Sequence, residues 1–295
     1  MSGKKQRGPT EVGVFPGISN TDYHEGDGIS SSQIKVMATK TPLHYYDRYI
    51  AEDRETEVKD LHGPLAIGTL FHSMLLEPHK DTSKETLIVD SINRRSKAGK
   101  EAYAEAVEDA KKTQRSIVTQ EEYDNIVKMV DTASKQSLFN SLFTGGEAEV
   151  SCYWIDKDTG ILCKCRPDYL HTDNIIVDLK SCISASEEDA GRAAFNFGYF
   201  ISAAFYLDGV AAATGKPTES FIFAFMEKTR PYAVAPYVIT QEDLTLGRIL
   251  YKQGLKKLKE CTESDRWPGY TTDIIELEIP AWARKKIRTQ IGMEE

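Results

Sequence analysis

A mixed α/β (α+β) fold, with a central sheet that contains an antiparallel meander and is flanked by helices, is predicted for this chain by three observations. Apolar residues recur at helical spacing through most of residues 30–135. From Glu147 the texture changes to short apolar runs broken by turn residues: EAEVSCYWID, then ILCKCRPDYL, then IIVDLK. Helical spacing returns at 185–213 and is followed by two strand-like runs and a long helix. That order suits a sheet flanked by helices.

Residues 1–28 are rich in Gly, Pro and charge without periodicity, and read as a flexible arm before a single domain spanning 29–295. Ser30 and Gln33 have capping-box spacing before IKVMATK, and Pro42 opens LHYYDRYI. In PLAIGTLFHSMLLE (64–77) the apolar positions 67, 70, 71, 74 and 75 are helical, and Pro78 closes the segment, so His72 lies on a mainly buried helix. Residues 81–96 show no clear pattern. KAGKEAYAEAVEDAKK and the segment opened by Thr119 and Glu122 read as two amphipathic helices. Three strands joined by short hairpins follow, with turns at 157–160 and at HTDN. Beyond them come helices at 185–196 and 199–213, strands FIFAFMEK and YAVAPYVI, a helix over 241–261, and the C-terminal IIELEIPAWARKKI.

The chain has 295 residues, 40% hydrophobic and 28% charged, enough for a substantial core. Its net charge of -8 means that any polyanion must be met by local basic patches. Five cysteines, odd in number and including a tight C-x-C, do not form a disulfide framework pattern and suit a reducing compartment. No signal-like segment opens the chain and no run of 18 apolar residues occurs, so a cytoplasmic protein without membrane contact is expected.

The chemistry concentrates in the meander. Asp168 ends one strand and Asp178 and Lys180 lie on the next, sharing a face by alternation while Ile175, Val177 and Leu179 take the other. Two carboxylates and an ammonium at one sheet end could bind a divalent ion and activate water for phosphodiester hydrolysis. The tripeptide alone is weak, because Asp109-Ala-Lys111 repeats it on a polar helix face. Asp178, however, follows the apolar run IIV, where charge is costly unless paired or metal-bound. A structural ion pair and a metal site both satisfy that condition.

The ordered set GTLFH (68–72), RPDYL (166–170) and VDLKS (177–181) resembles the RecB-like branch of the PD-(D/E)XK nucleases. SSSQIKVM, RRSKAGKEAY, the E-x-E-V-S strand, WPGY and PAWA resemble the RecE C-terminal nuclease domain and its phage relatives, over nearly all of 30–287. The resemblance implies a PD-(D/E)XK core with His72, Asp168 and Asp178 as metal ligands, the Leu179 carbonyl completing the set, and Lys180 as catalytic lysine. Mg²⁺, with Mn²⁺ substituting, is the implied cofactor. Gly68, one turn before His72, would let the sheet approach. The Gln-x-x-x-Tyr element of many relatives reads here as Ser202-Ala-Ala-Phe-Tyr206, keeping Tyr206 as a DNA-binding candidate and replacing the glutamine with Ser202.

Arg94, Arg95, Lys97 and Lys100 form a basic run that reads equally as phosphate contacts or a solvated helix start, and Arg166 beside Asp168 reads as a phosphate contact. Cys163 and Cys165 read as small apolar residues packed in the sheet rather than zinc ligands with Cys182 and His171. The implied activity is a metal-dependent exonuclease, 5′-to-3′, that resects duplex ends for recombination. Its implied partners are an annealing protein of the RecT type and further copies of this chain, in a bacterial host with a phage or prophage context. An endonuclease or nickase of the same fold, and a catalytically inactive DNA-binding protein, are the alternatives.

Overall fold

The computed structural model describes residues 8–53, 61–90, 96–218 and 220–293. Strand β1 (Gly13–Phe15) and helix α1 (Asn20–Glu25) precede α2 (Ser31–Thr39), α3 (Pro42–Tyr49) and α4 (Pro64–Leu76). Next come β2 (Thr86–Val89), α5 (Lys97–Thr113), β3 (Ser116–Thr119), α6 (Gln120–Lys135) and α7 (Ser137–Ser141). Five strands follow: β4 (Gly146–Ala148), β5 (Ser151–Ile155), β6 (Leu162–Cys165), β7 (Tyr169–His171) and β8 (Ile175–Cys182). The chain then forms α8 (Glu187–Asn196), α9 (Tyr199–Thr214), β9 (Ser220–Glu227), β10 (Val234–Val238), α10 (Gln241–Ser264) and α11 (Ala281–Gln290).

The central sheet has the order β10-β9-β8-β7-β4 and is mixed: β8 and β9 run parallel and the other pairs antiparallel. Parallel neighbours need a crossover, which α8 and α9 provide. Alternation along β8 and β9 feeds two cores. Ile176, Phe221, Phe223 and Phe225 join Ile34, Trp154, Phe205 and Leu255 on the face covered by α9, while Val177, Leu179, Ala224 and Met226 join Phe71, Ile126, Met129 and Phe139 on the face covered by α4 and α6. Fully burying each large aliphatic side chain contributes roughly 1.5–3 kcal/mol, so both helical layers are held by apolar area.

Two expectations are corrected. The continuous meander does not form, because Glu149 turns the chain with φ 54° and Pro167 lacks an N–H. Both foreseen hairpins form, β5–β6 across residues 157–160 and β7–β8 across HTDN, but the chain divides between β6 and β7, so β5–β6 joins β1 in a separate sheet of order β1-β5-β6. Nor is the stretch up to residue 28 a loose arm from residue 8 onward, since β1 pairs antiparallel with β5 and Tyr23 of α1 is buried. Residues 1–7 of that arm lie outside the described residues. The unassigned stretch 81–96 contains β2, paired in parallel with β3. The two capping boxes are present, with the Ser30 N–H donating to Gln33 at 2.8 Å and the Thr119 N–H to Glu122 at 2.8 Å. Among the described residues no helix is long and apolar enough to cross a membrane.

The smaller sheet docks on the large core through Trp154 of β5. A Cβ built at Gly209 of α9 would lie 2.4 Å from the Trp154 ring, so only glycine permits this approach. Gly209→Ala is expected to lower stability by about 1–3 kcal/mol through overpacking, against at most ~1 kcal/mol returned by better helix propensity. Urea unfolding reads the difference, and an unchanged midpoint would mean that the indole does not dock rigidly there.

Candidate active site

The site forms where β7 parts from β8. The two strands pair only at Tyr169↔Val177 and Leu170↔Ile176, leaving Asp178 and the residues after it unpaired on that edge while β9 continues alongside on the other. Asp168, immediately before β7, fills the opening: its Oδ2 accepts the Leu179 backbone N–H at 2.7 Å. Because N–H and C=O of one strand residue point to the same edge, the Leu179 carbonyl also faces this opening.

Asp178 is buried, and Lys180, two residues on along the same face, makes direct contact with its carboxylate. Burial pushes the Asp178 carboxyl up, against the pull of Lys180. For Lys180 burial acts against the charge, but Asp178 and Asp168 outweigh it and hold the ammonium above its ordinary range. Lys180 Nζ also lies 5.1 Å from the centroid of the Tyr199 ring. His72 arrives from α4, with Nδ1 3.6 Å from Asp168 Oδ2. The sequence reading thus placed His72, Asp168, Asp178, Leu179 and Lys180 apart in the chain, and the fold brings them together.

Glu149 was missed. One donor atom from each of His72, Glu149 and Asp168 lies within 4.8 Å of the others, the one such cluster of metal-type ligands among the described residues. The Glu149 backbone N–H donates to the Asp168 carbonyl at 3.1 Å, which ties the turn before β5 to that aspartate. The one signal was the second glutamate of E-x-E-V-S, an acidic residue two positions before the buried strand β5. A hard-oxygen set with one imidazole fits a small divalent cation, and Asp178 adds a buried carboxylate whose Oδ2 is met by the Lys180 ammonium.

Other candidates fall elsewhere. Arg166 is not a phosphate contact: it is buried, its Nε and Nη2 donate to Ser151 Oγ at 2.9 and 2.8 Å, Nη2 reaches the Ile18 carbonyl at 2.9 Å, and the guanidinium covers the Tyr23 ring at 4.2 Å. It fastens the N-terminal segment instead. Gly68 is not demanded by packing either, since a Cβ there would meet only Ser181 Oγ at 3.9 Å. Tyr206 does stay by the site: it packs against the α9-side core, shares a hydrogen bond with Ser31 and feels the charges of Asp178 and Asp168, and Ser202 is half-buried one turn earlier. Lys97 and Lys100 are exposed in the first turn of α5, which packs against β3, and Arg94 and Arg95 lie outside the described residues. Cys152, Cys163 and Cys165 are buried in the apolar core.

A family profile described as a PDDEXK-like domain of unknown function (DUF3799) matches residues 30–278. Among solved structures, the fold is similar to the "Putative exonuclease" from Eubacterium rectale, 16% identical, covering 90% of this chain and 97% of that chain with a TM-score of 0.62. The structure of SSO0001 is 17% identical and covers 70% of this chain and 98% of that chain, with a TM-score of 0.29. No curated protein matches.

Burial, then the Asp168 charge, pushes Glu149 up to about 8 from its ordinary 4.5. Between these values the folded chain keeps a proton that the unfolded chain has released, so this group's contribution to stability falls as pH rises from 4.5 through 8. Glu149→Gln is therefore expected to melt level with the wild type near pH 4.5 and above it near pH 8.5 in EDTA. Mn²⁺ at the higher pH should raise the melting temperature of the wild type more than that of the variant. A wild type already the more stable of the two at pH 8.5 without metal would rule out a penalised carboxylate.

Proposed function

The chain belongs to the family of PDDEXK-like domains of unknown function (DUF3799), and from that premise we propose that it is a divalent-metal-dependent nuclease acting on the ends of duplex DNA. The observation that carries the reading is the convergence of His72, Glu149 and Asp168 beside the buried Asp178–Lys180 pair. Such a set would hold Mg²⁺, or Mn²⁺ in its place, through His72, Glu149, Asp168 and Asp178, and the ion when bound supplies Lewis-acid charge and acidified water. The Leu179 carbonyl stands on the same edge as a further oxygen.

The protein's own groups divide the remaining work. Lys180 has its ammonium held charged by Asp178 and Asp168, so it can orient the attacking water and donate to a phosphate oxygen. The Leu179 N–H fixes the Asp168 carboxylate, so one ligand is oriented before anything binds. Action from an end rather than within a strand is supported by the exonuclease description of the Eubacterium rectale protein and by the RecE-like motifs. Those motifs also support 5′-to-3′ resection for recombination with an annealing partner of the RecT type, in the cytoplasm of a bacterial host.

A homo-oligomer is part of the same reading. Ile274, Ile275, Leu277, Ile279 and Trp282 are exposed along the C-terminal segment, a row of large apolar side chains that a second copy could cover.

Linear and closed circular duplexes labelled separately at the 5′ and 3′ ends test the activity. Loss of the linear substrate alone, with Mg²⁺ and not with EDTA, is expected, the labels reporting polarity. Lys180→Ala should slow it by ~10²–10⁴-fold, the range such groups supply, and Asp178→Ala should abolish it. Cutting of the circle would replace the exonuclease with an endonuclease. No cutting with any divalent ion would leave a DNA-binding protein.

A further inference from the structure

A chain of aromatic contacts runs from the core to the surface beside the catalytic lysine. Phe221 meets Phe223 with ring centroids 4.8 Å apart, Phe223 meets Tyr199 at 5.6 Å, and Tyr199 stacks on Phe197 at 5.6 Å with an interplanar angle of 27°. The first two rings are buried, and the last is 62% exposed. Tyr199 carries Lys180 Nζ over its ring at 5.1 Å, so two short steps separate the lysine from the exposed ring.

The backbone that presents Phe197 is fixed. Its N–H donates to the Ala193 carbonyl at 3.0 Å, its own carbonyl accepts from Lys35 Nζ at 3.2 Å, and Gly198 follows with φ 62°. A Cβ at Gly198 would come within 3.1 Å of the Lys35 side chain, so the turn that stacks Phe197 on Tyr199 is built for glycine. A ring held by its backbone, backed by another ring and open on its outer side offers a flat π-face in a set position.

We propose that Phe197 is a base-stacking platform, on which a nucleobase of the DNA strand entering the site stacks while its phosphate is held at Lys180. The proposal rests on the nuclease reading for its substrate. The reach suits a nucleobase: contacts of 5.1 and 5.6 Å through Tyr199 put the ring no farther from Lys180 Nζ than about three stacked nucleotides at ~3.4 Å each. Any strand whose backbone reaches Lys180 therefore brings a base within reach of the ring. Stacking of this kind is indifferent to sequence, because every base has a π-face. It would hold the end of one strand away from its complement, the step that a duplex end must undergo before one strand can enter.

Duplex DNA carrying 2-aminopurine near its end, bound with Ca²⁺ in place of Mg²⁺, reads the stacking directly. The full chain is expected to quench the probe relative to a free frayed end; Phe197→Trp should keep the quench and Phe197→Ala lose it. With Mg²⁺, Phe197→Ala should digest a blunt duplex about tenfold more slowly while digesting a duplex with a mismatched end at close to the wild-type rate. Quenching and rates unchanged in Phe197→Ala would overturn the proposal, as would DNA binding by the wild type without any quench, which would give the ring to a protein partner. A wild type that binds and quenches but never cuts would sink the nuclease reading and leave the platform standing.

Discussion

Two opposite charges taken out of water on a central strand set the terms for everything around them. Asp178 is buried and Lys180 nearly so, and either one alone would cost several kcal/mol. Each makes the other tolerable. Yet the balance is incomplete: Asp168 and Glu149 face the same space, and burial first, then the neighbouring Asp168 charge, pushes both the Glu149 and the Asp178 carboxyl up. A site with surplus carboxylate, one imidazole and a fixed ammonium is most stable when a small cation completes it. The structure is thus strained in charge rather than in backbone, and the strain points at a ligand.

The opening that admits such a ligand depends on residues far from it. Arg166 looks from the sequence like a group for an external phosphate, but it turns inward, and so does Lys164 two residues before it. Lys164 Nζ donates to the Tyr23 carbonyl at 2.6 Å and also meets the Gly26 carbonyl, while Arg166 holds Ile18. Together they bind the N-terminal segment over the small sheet, and that sheet takes β5 and β6 away from the central one.

Much of this was legible in the sequence because local rules governed it. Helix limits at Ser30, Pro42 and Thr119 follow from caps, and the shared face of Asp178 and Lys180 follows from alternation. Which strands joined which sheet was not legible, since EAEVSCYWID and ILCKCRPDYL carry no mark of where they divide beyond Pro167 and an acidic residue at φ 54°. Glu149 escaped for the same reason: a positive φ at a non-glycine residue is visible only in three dimensions. Arg166 misled because a basic residue next to a metal-site aspartate has the same sequence signature whether it faces phosphate or protein.

The layering also explains why these ligands and not others could be recruited. The α4 helix, bearing His72, belongs to the core that includes Val177 and Leu179, whereas Asp178 and Lys180 face the core of α9, and Glu149 lies on the link between the two sheets. A cation at their junction would join three parts of the molecule that otherwise meet through apolar packing and a few polar contacts to Asp168. Apolar packing is non-directional and fixes such parts only loosely in relative position. Coordination is directional and short, so a bound cation would hold α4 and β8 more closely in register than packing does. On the proposed nuclease reading the same gap would decide where a scissile phosphate lies relative to Lys180, so the order of the three parts and the geometry of that reaction would be one requirement.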